Sequence, residues 1–263
     1  MKYICLDTNI YLDAVFDRHQ NQYTEILNAI RELLDDNKIK VILPEIIKFE
    51  FLRHYNEEIL IMKRNISEIK NQISKMPYPL KLREYRKDTI DSLSKMLNNF
   101  NEEDNKFETT EVFKIFNHLN TIEIPLNDNI LLKAYKRSFL KLKPNGDEFL
   151  SGDNTIVESL IYYSDKNDKL EIDLLSRNYK DFGSGKDNKG QIHKDLEEEF
   201  KLNNINYVYE ILKYMHTLNK VQNITELPEI EKQMFFIVCP RCRYVGDSEW
   251  ENACPKCNYV WCE

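Results

Sequence analysis

The chain has no apolar run approaching the roughly 20 residues that a membrane-spanning helix needs, so nothing in it reads as a bilayer segment. It also lacks a basic excess: the formal net charge is −7. Non-specific nucleic-acid binders are usually basic, so that class is disfavoured. A cluster of metal-binding carboxylates would itself add negative charge, so a nuclease is not excluded. Cysteines are not spread along the chain. Cys5 stands alone, and the other five fall between Cys239 and Cys262. A secreted disulfide scaffold would distribute them, so the clustering points to metal in a reducing compartment. Residues 1–7 place a charge too early for the apolar region of a signal peptide. A cytoplasmic location, with no membrane partner, is the expectation.

Other absences remove specific chemistries. The five histidines (His19, His54, His118, His193 and His216) show no metal-ligand spacing. Gly183-Ser184-Gly185-Lys186 lacks the first glycine of a P-loop, and Asp187 stands where Ser or Thr belongs. Asp7-Thr8-Asn9 is not the Asp-x-Asp of aspartyl phosphotransferases, because position 9 is Asn.

What is present is enough for a domain. The chain has 263 residues, 42% of them hydrophobic, which suffices for a core plus an appendage. Tyr3–Leu6 reads as a buried strand followed by a helix that Thr8 or Asn9 caps. A helix over residues 23–36, a strand over 38–43 and a helix begun by Pro44 follow. Strand and helix alternate, which argues for an α/β domain with a parallel sheet. Further helices are predicted over 111–119, 127–140, 153–165, 193–202 and 210–218, with strands over 169–176 and 207–209. Glycine is absent from residues 56–105, a charge-rich stretch broken only at Met76-Pro77-Tyr78-Pro79. Ile59, Met62, Ile66, Ile69 and Ile73 recur there at helical spacing, so the stretch reads as a helical hairpin arm inserted in the domain. A solvated structural arm and a substrate clamp both stay open.

Four acidic residues stand where chemistry is plausible. Asp7 ends the first strand, Glu50 lies on the helix after the second, Asp153 begins a helix, and Asp181 lies in the loop after Ser176. In open α/β sheets ligands bind beyond the carboxyl ends of strands. Phosphodiester hydrolysis needs an activated water and charge neutralisation, both of which divalent ions supply. Mg²⁺ and Mn²⁺ take oxygen ligands, often carboxylates. Clustered carboxylates repel one another unless a cation joins them. Spacing alone leaves the bland alternative open, since helix N-terminal Asp residues are usually caps. Asp147 reads as a loop residue near Asp153. His54, one turn after Glu50, either orients Glu50 or stays on the surface.

These motifs carry a resemblance. Ile4-Cys5-Leu6-Asp7-Thr8-Asn9 resembles the opening of the PIN domain family, and Leu43–Glu50 its second element. Gly152-Asp153-Asn154-Thr155 is similar to the third, and Leu175–Phe182 to the fourth. The likeness spans roughly residues 1–215, and the arm departs from compact members. It implies a three-layer PIN-like fold around a central parallel sheet. It also implies catalysis by Asp7, Glu50, Asp153 and Asp181 holding Mg²⁺ or Mn²⁺, supported by Thr8, Asn9 and Asn178. The implied activity is endoribonuclease cleavage, with toxin or defence action on tRNA or other structured RNA as the family biology. A structure-specific DNA nuclease and a non-catalytic PIN-like binding module are the alternatives. RNA is the expected partner. A regulatory protein and a homo-oligomer stay open.

The tail is a separate matter. Cys239-Pro240-Arg241-Cys242 and Cys254-Pro255-Lys256-Cys257 are eleven residues apart. Two such pairs offer four thiolates for a tetrahedral, structural Zn²⁺, and they resemble a zinc ribbon. Cys5 reads as a core residue and Cys262 as a bystander. The expected layout is a PIN-like domain over 1–220 with its insertion at 56–105, a linker over 221–234 and a small zinc ribbon over 235–263.

Overall fold

The computed structural model describes residues 1–16, 22–77, 79–103, 110–144, 152–218, 237–238 and 245–246. The chain divides into two units, Met1–Lys220 and Val221–Glu263. In the second, β6 (Ile237–Val238) pairs antiparallel with β7 (Val245–Gly246). Cys239, Cys242, Cys254 and Cys257, the linker over 221–234 and Asp147 lie outside the described residues.

The first unit is built on five parallel strands. They are β1 (Lys2–Leu6), β2 (Ile39–Pro44), β3 (Thr121–Ile124), β4 (Ile172–Leu175) and β5 (Ile205–Val208). Their order across the sheet is β3-β2-β1-β4-β5. Strands are therefore added on one side of β1 up to β3 and on the other side from β4, and β1 and β4 lie side by side, parallel, with Leu6 opposite Leu175. That is the switch point at which ligands bind beyond the strand ends. Buried residues run almost without alternation along β1, β2 and β4, as parallel strands covered on both faces require.

The helices complete an α/β three-layer fold. Helix α1 spans Thr8–Val15, α2 Gln22–Asp35, α3 Glu45–Lys75, α4 Arg83–Glu103 and α5 Glu111–Phe116. Then come α6 (Asp128–Phe139), α7 (Gly152–Lys166), α8 (Lys194–Leu202) and α9 (Ile211–Thr217). Helices α2, α3 and α7 pack on β2; α1 and α5 join α2, and α6 joins α7. Tyr11, Phe51 and Phe116 meet edge to face at centroid separations of 5.0 to 6.4 Å, tying α1, α3 and α5 together. Among the described residues no helix is long and apolar enough to cross a membrane.

Four details differ from the sequence reading. The sequence sets an arm apart from residue 56, but α3 is one unbroken 31-residue helix. No Gly or Pro interrupts it, so the helix that carries Glu50 becomes the first half of the hairpin, and α4 packs back on it. Strand β3 is not anticipated: it is a four-residue edge strand, half exposed, with Glu123 in its sequence. Pro44 closes β2 and caps α3 instead of starting the helix. The last strand of the parallel sheet is β5 at Ile205–Val208, earlier than 207–209.

Candidate active site

The N-terminal end of α1 shapes the centre of the site. Asp7 follows β1, and its backbone N–H continues the sheet by donating to the Leu175 carbonyl at 3.0 Å. It takes the N-cap position of α1 in place of Thr8 or Asn9. The carboxylate is buried at the sheet edge, 1% exposed. There the Ser176 hydroxyl donates to its Oδ2 at 2.6 Å. Ser176 follows Leu175, which faces Leu6 across the β1–β4 pair, so the donor is placed by strand register. Burial pushes the Asp7 carboxyl above the ordinary range. Ser176, the Asn9 side chain and the Thr8 and Asn9 N–H groups pull it partly back.

Glu50 and Asp153 arrive from two helices. Thr8, freed from capping, donates its hydroxyl to Glu50 Oε2 at 2.9 Å. Burial and the Asp7 charge push the Glu50 carboxyl up, while Thr8, Arg53 and His54 oppose them. The Glu50 carboxylate lies against Gly152, the first residue of α7, so closely that a Cβ there would overlap it. Asp153, the next residue, accepts from the Asn178 side chain at 3.0 Å. Its carboxyl stands well above the usual range, through burial first and then through repulsion from Asp7, Asp181 and Glu50. Lys143 is a partial counterweight.

Asp7, Glu50 and Asp153 line one cavity of about 200 Å³, together with Thr8, Asn9 and Asn178. Asp181 stands beside Asp153 and is not part of that lining. Its Oδ1 is 3.5 Å from Lys143 Nζ, and Lys143 also donates to the Lys180 carbonyl. Buried Arg137 fixes this lysine from behind. It donates to the Lys143 carbonyl at 2.7 Å while pairing with Glu158 and Glu199.

The residues fit a hard divalent cation in kind. The donors are carboxylate and amide oxygens, and the carboxyls are raised by burial and, at Glu50 and Asp153, by neighbouring carboxylates, a set that a cation would relieve. They do not form a closed ligand cage: among the described residues no three His, Cys, Asp or Glu side chains gather as a metal-binding group. Each carboxylate is held by its own donor instead, Asp7 by Ser176, Glu50 by Thr8 and Asp153 by Asn178. The sequence reading singled out neither Ser176, Gly152 nor Lys143 for a role. His54 lines the cavity, but its Nδ1 pairs with Glu57 at 3.2 Å.

No curated protein and no solved structure matches the chain significantly. A family model described as PIN domain matches residues 4–182, a span that includes all four acidic positions. That span is more than half of the chain, and it covers the strands and helices that bring the carboxylates to one sheet edge. This chain therefore belongs to the PIN domain family, whose members are generally metal-dependent nucleases.

Proposed function

We propose that the chain is a metal-dependent endoribonuclease in which Asp7, Glu50, Asp153 and Asp181 hold Mg²⁺ or Mn²⁺. One observation carries the reading: three carboxylates, from the end of β1, α3 and α7, line one cavity with Asp181 adjacent, and burial first, then the charges of Asp7, Asp181 and Glu50, pushes Asp153 well above its ordinary range. A fold whose only need was stability would not gather them, because buried like charges repel. A divalent ion bound here supplies neutralisation of phosphate charge and a more acidic water.

The chain's own groups supply position. Ser176 and Asn9 hold Asp7, Thr8 holds Glu50 and Asn178 holds Asp153, so each carboxylate presents a fixed oxygen. Arg53 also lines the cavity and offers a cation to a phosphate entering it. In the same reading Cys239, Cys242, Cys254 and Cys257 hold a structural Zn²⁺ in the tail. A toxin or defence role on tRNA or other structured RNA is the biology proposed for it.

The test is cleavage by the full chain, with Mg²⁺ or Mn²⁺, of single-stranded RNA, tRNA and flap DNA. RNA should be cut, and Asp7→Asn should abolish cutting with an unchanged circular dichroism spectrum. Cleavage of flap DNA alone would make it a DNA nuclease. Full activity in Asp7→Asn, or no cleavage and no Mn²⁺ binding in the parent chain, would overturn the nuclease assignment of this site.

A further inference from the structure

A second cavity, of about 450 Å³, adjoins the acidic one. The two share Asn9 and Asn178 in their linings, so a chain leaving the carboxylates on that side enters it directly. Its size falls in the roughly 300–1,000 Å³ range of small-ligand sites. Its character differs sharply from the acidic cavity. Tyr179 and Tyr209 meet edge to face at 6.3 Å, with planes 84° apart. Lys189 Nζ lies 5.0 Å from the Tyr179 ring centroid. Arg177 closes one side, held by a 2.7 Å bond to the Tyr23 hydroxyl and by the Tyr209 side chain. Asp13 is the one carboxylate in the lining.

We infer that this groove is a nucleotide subsite: it takes the base of a single-stranded RNA residue flanking the cleaved phosphate, stacked on Tyr179, with Lys189 and Arg177 on the backbone. The inference rests on the nuclease reading and names how that site grips its substrate. Aromatic rings interleaved with cations are the elements that bind single strands without reading sequence. The cation over Tyr179 is half exposed, and such a cation–π contact is weaker than stacking of a base. An entering base therefore displaces the lysine, whose ammonium is then free to meet a phosphate. Arg177 cannot swing away as readily, because two tyrosines hold it, and it serves as a fixed charge at the groove wall. An acidic chain with net charge −7 needs such local cations to hold RNA at all.

The test is fluorescence anisotropy with a labelled single-stranded RNA oligonucleotide and Mn²⁺, in the full chain carrying Asp7→Asn to prevent cutting. Adding Tyr179→Ala should weaken binding about tenfold, the effect of one lost stacked base. Tyr179→Phe, which keeps the ring, should bind within about twofold of the parent. Lys189→Ala should reduce the slope of log affinity against log salt by about 0.7, one phosphate on a single strand. Unchanged affinity and salt slope in Tyr179→Ala and Lys189→Ala, beside a wild-type chain that cuts RNA, would overturn the subsite and leave the nuclease reading standing. Absence of both RNA binding in the Asp7→Asn chain and RNA cutting in the wild type would overturn the two together. Equal weakening by Tyr179→Phe and Tyr179→Ala would also count against stacking.

Discussion

Gly152 stands against the carboxylate of Glu50, leaving no room for a Cβ between the start of α7 and the middle of the acidic cluster. The contact joins two elements far apart in sequence. A side chain at position 152 would have to displace the end of the Glu50 side chain. Alanine is generally the better helix former, so the local preference runs against what is found. We expect Gly152→Ala to leave thermal stability within a few degrees of the parent, since helix propensity and displacement of Glu50 act in opposite directions. Cleavage should fall at least about tenfold, because a misplaced group near the chemistry is costly. Melting curves beside an RNA-cleavage assay check this; full activity would mean that Glu50 tolerates displacement.

Asp153 carries the strongest conflict in the site, buried and repelled by Asp7, Asp181 and Glu50. Removing its charge should relieve the fold while damaging the chemistry, a trade common at functional sites. With chelator present at neutral pH, Asp153→Asn should raise the melting temperature by about 2–4 °C, the shift that about 1 kcal/mol produces in a domain of this size. Cleavage with Mn²⁺ should be lost. A less stable variant would argue that the bond from Asn178 to Asp153 outweighs the repulsion around it.

Ser176 gives the third prediction. Its hydroxyl donates to Asp7 Oδ2 at 2.6 Å and so helps to orient this carboxylate. Partners that orient metal ligands typically matter about 10–100-fold in affinity or activity. Ser176→Ala should therefore raise the Mn²⁺ concentration needed for half-maximal cleavage by about that factor, with the saturated rate less affected. Titration of Mn²⁺ against rate separates the two effects.

Much of this site is legible in the chain itself, and the illegible parts have physical causes. Asp7 and Asp153 are readable because each adjoins a strand end or helix start that local pattern predicts. Glu50 needs the resemblance, since an acidic residue six positions into a long helix has no local signature. Ser176 is hidden for another reason: its role exists only through the β1–β4 register, which brings together residues 169 apart in sequence. Gly152 likewise acts on a residue of another helix. Strand β3 is missed because an edge strand needs little apolar pattern, and the arm boundary is misplaced because composition shifts where the helix does not.

The tail yields a prediction from sequence alone. Four thiolates in two Cys-x-x-Cys pairs should bind about one zinc per chain, and a site with four protein ligands should be structural. Cys242→Ser should lower zinc content to nearly none. It should also make residues 235–263 sensitive to protease, because small zinc modules lose their fold with the metal. Elemental analysis and limited proteolysis of the full chain check both. Retention of zinc by the variant would move the ligand set to include Cys262.

The raised carboxyls also fix the sign of a pH dependence. Asp7, Glu50 and Asp153 all hold protons more tightly when folded than when unfolded. Without divalent ions the folded state thus binds more protons, and their contribution to stability is present at low pH and lost as pH rises through the raised values. Other groups titrate in the same range, so the clean measure is the difference between Asp153→Asn and the parent chain. With chelator, that difference should be small at about pH 4, the ordinary carboxylate range, and should grow towards neutrality as the parent acquires the buried charge. Adding Mn²⁺ should shrink or invert it, because the ion binds the charged carboxylates of the folded parent and stabilises them by mass action. A difference that stays flat from acid to neutral pH would mean that Asp153 is not buried among like charges in solution.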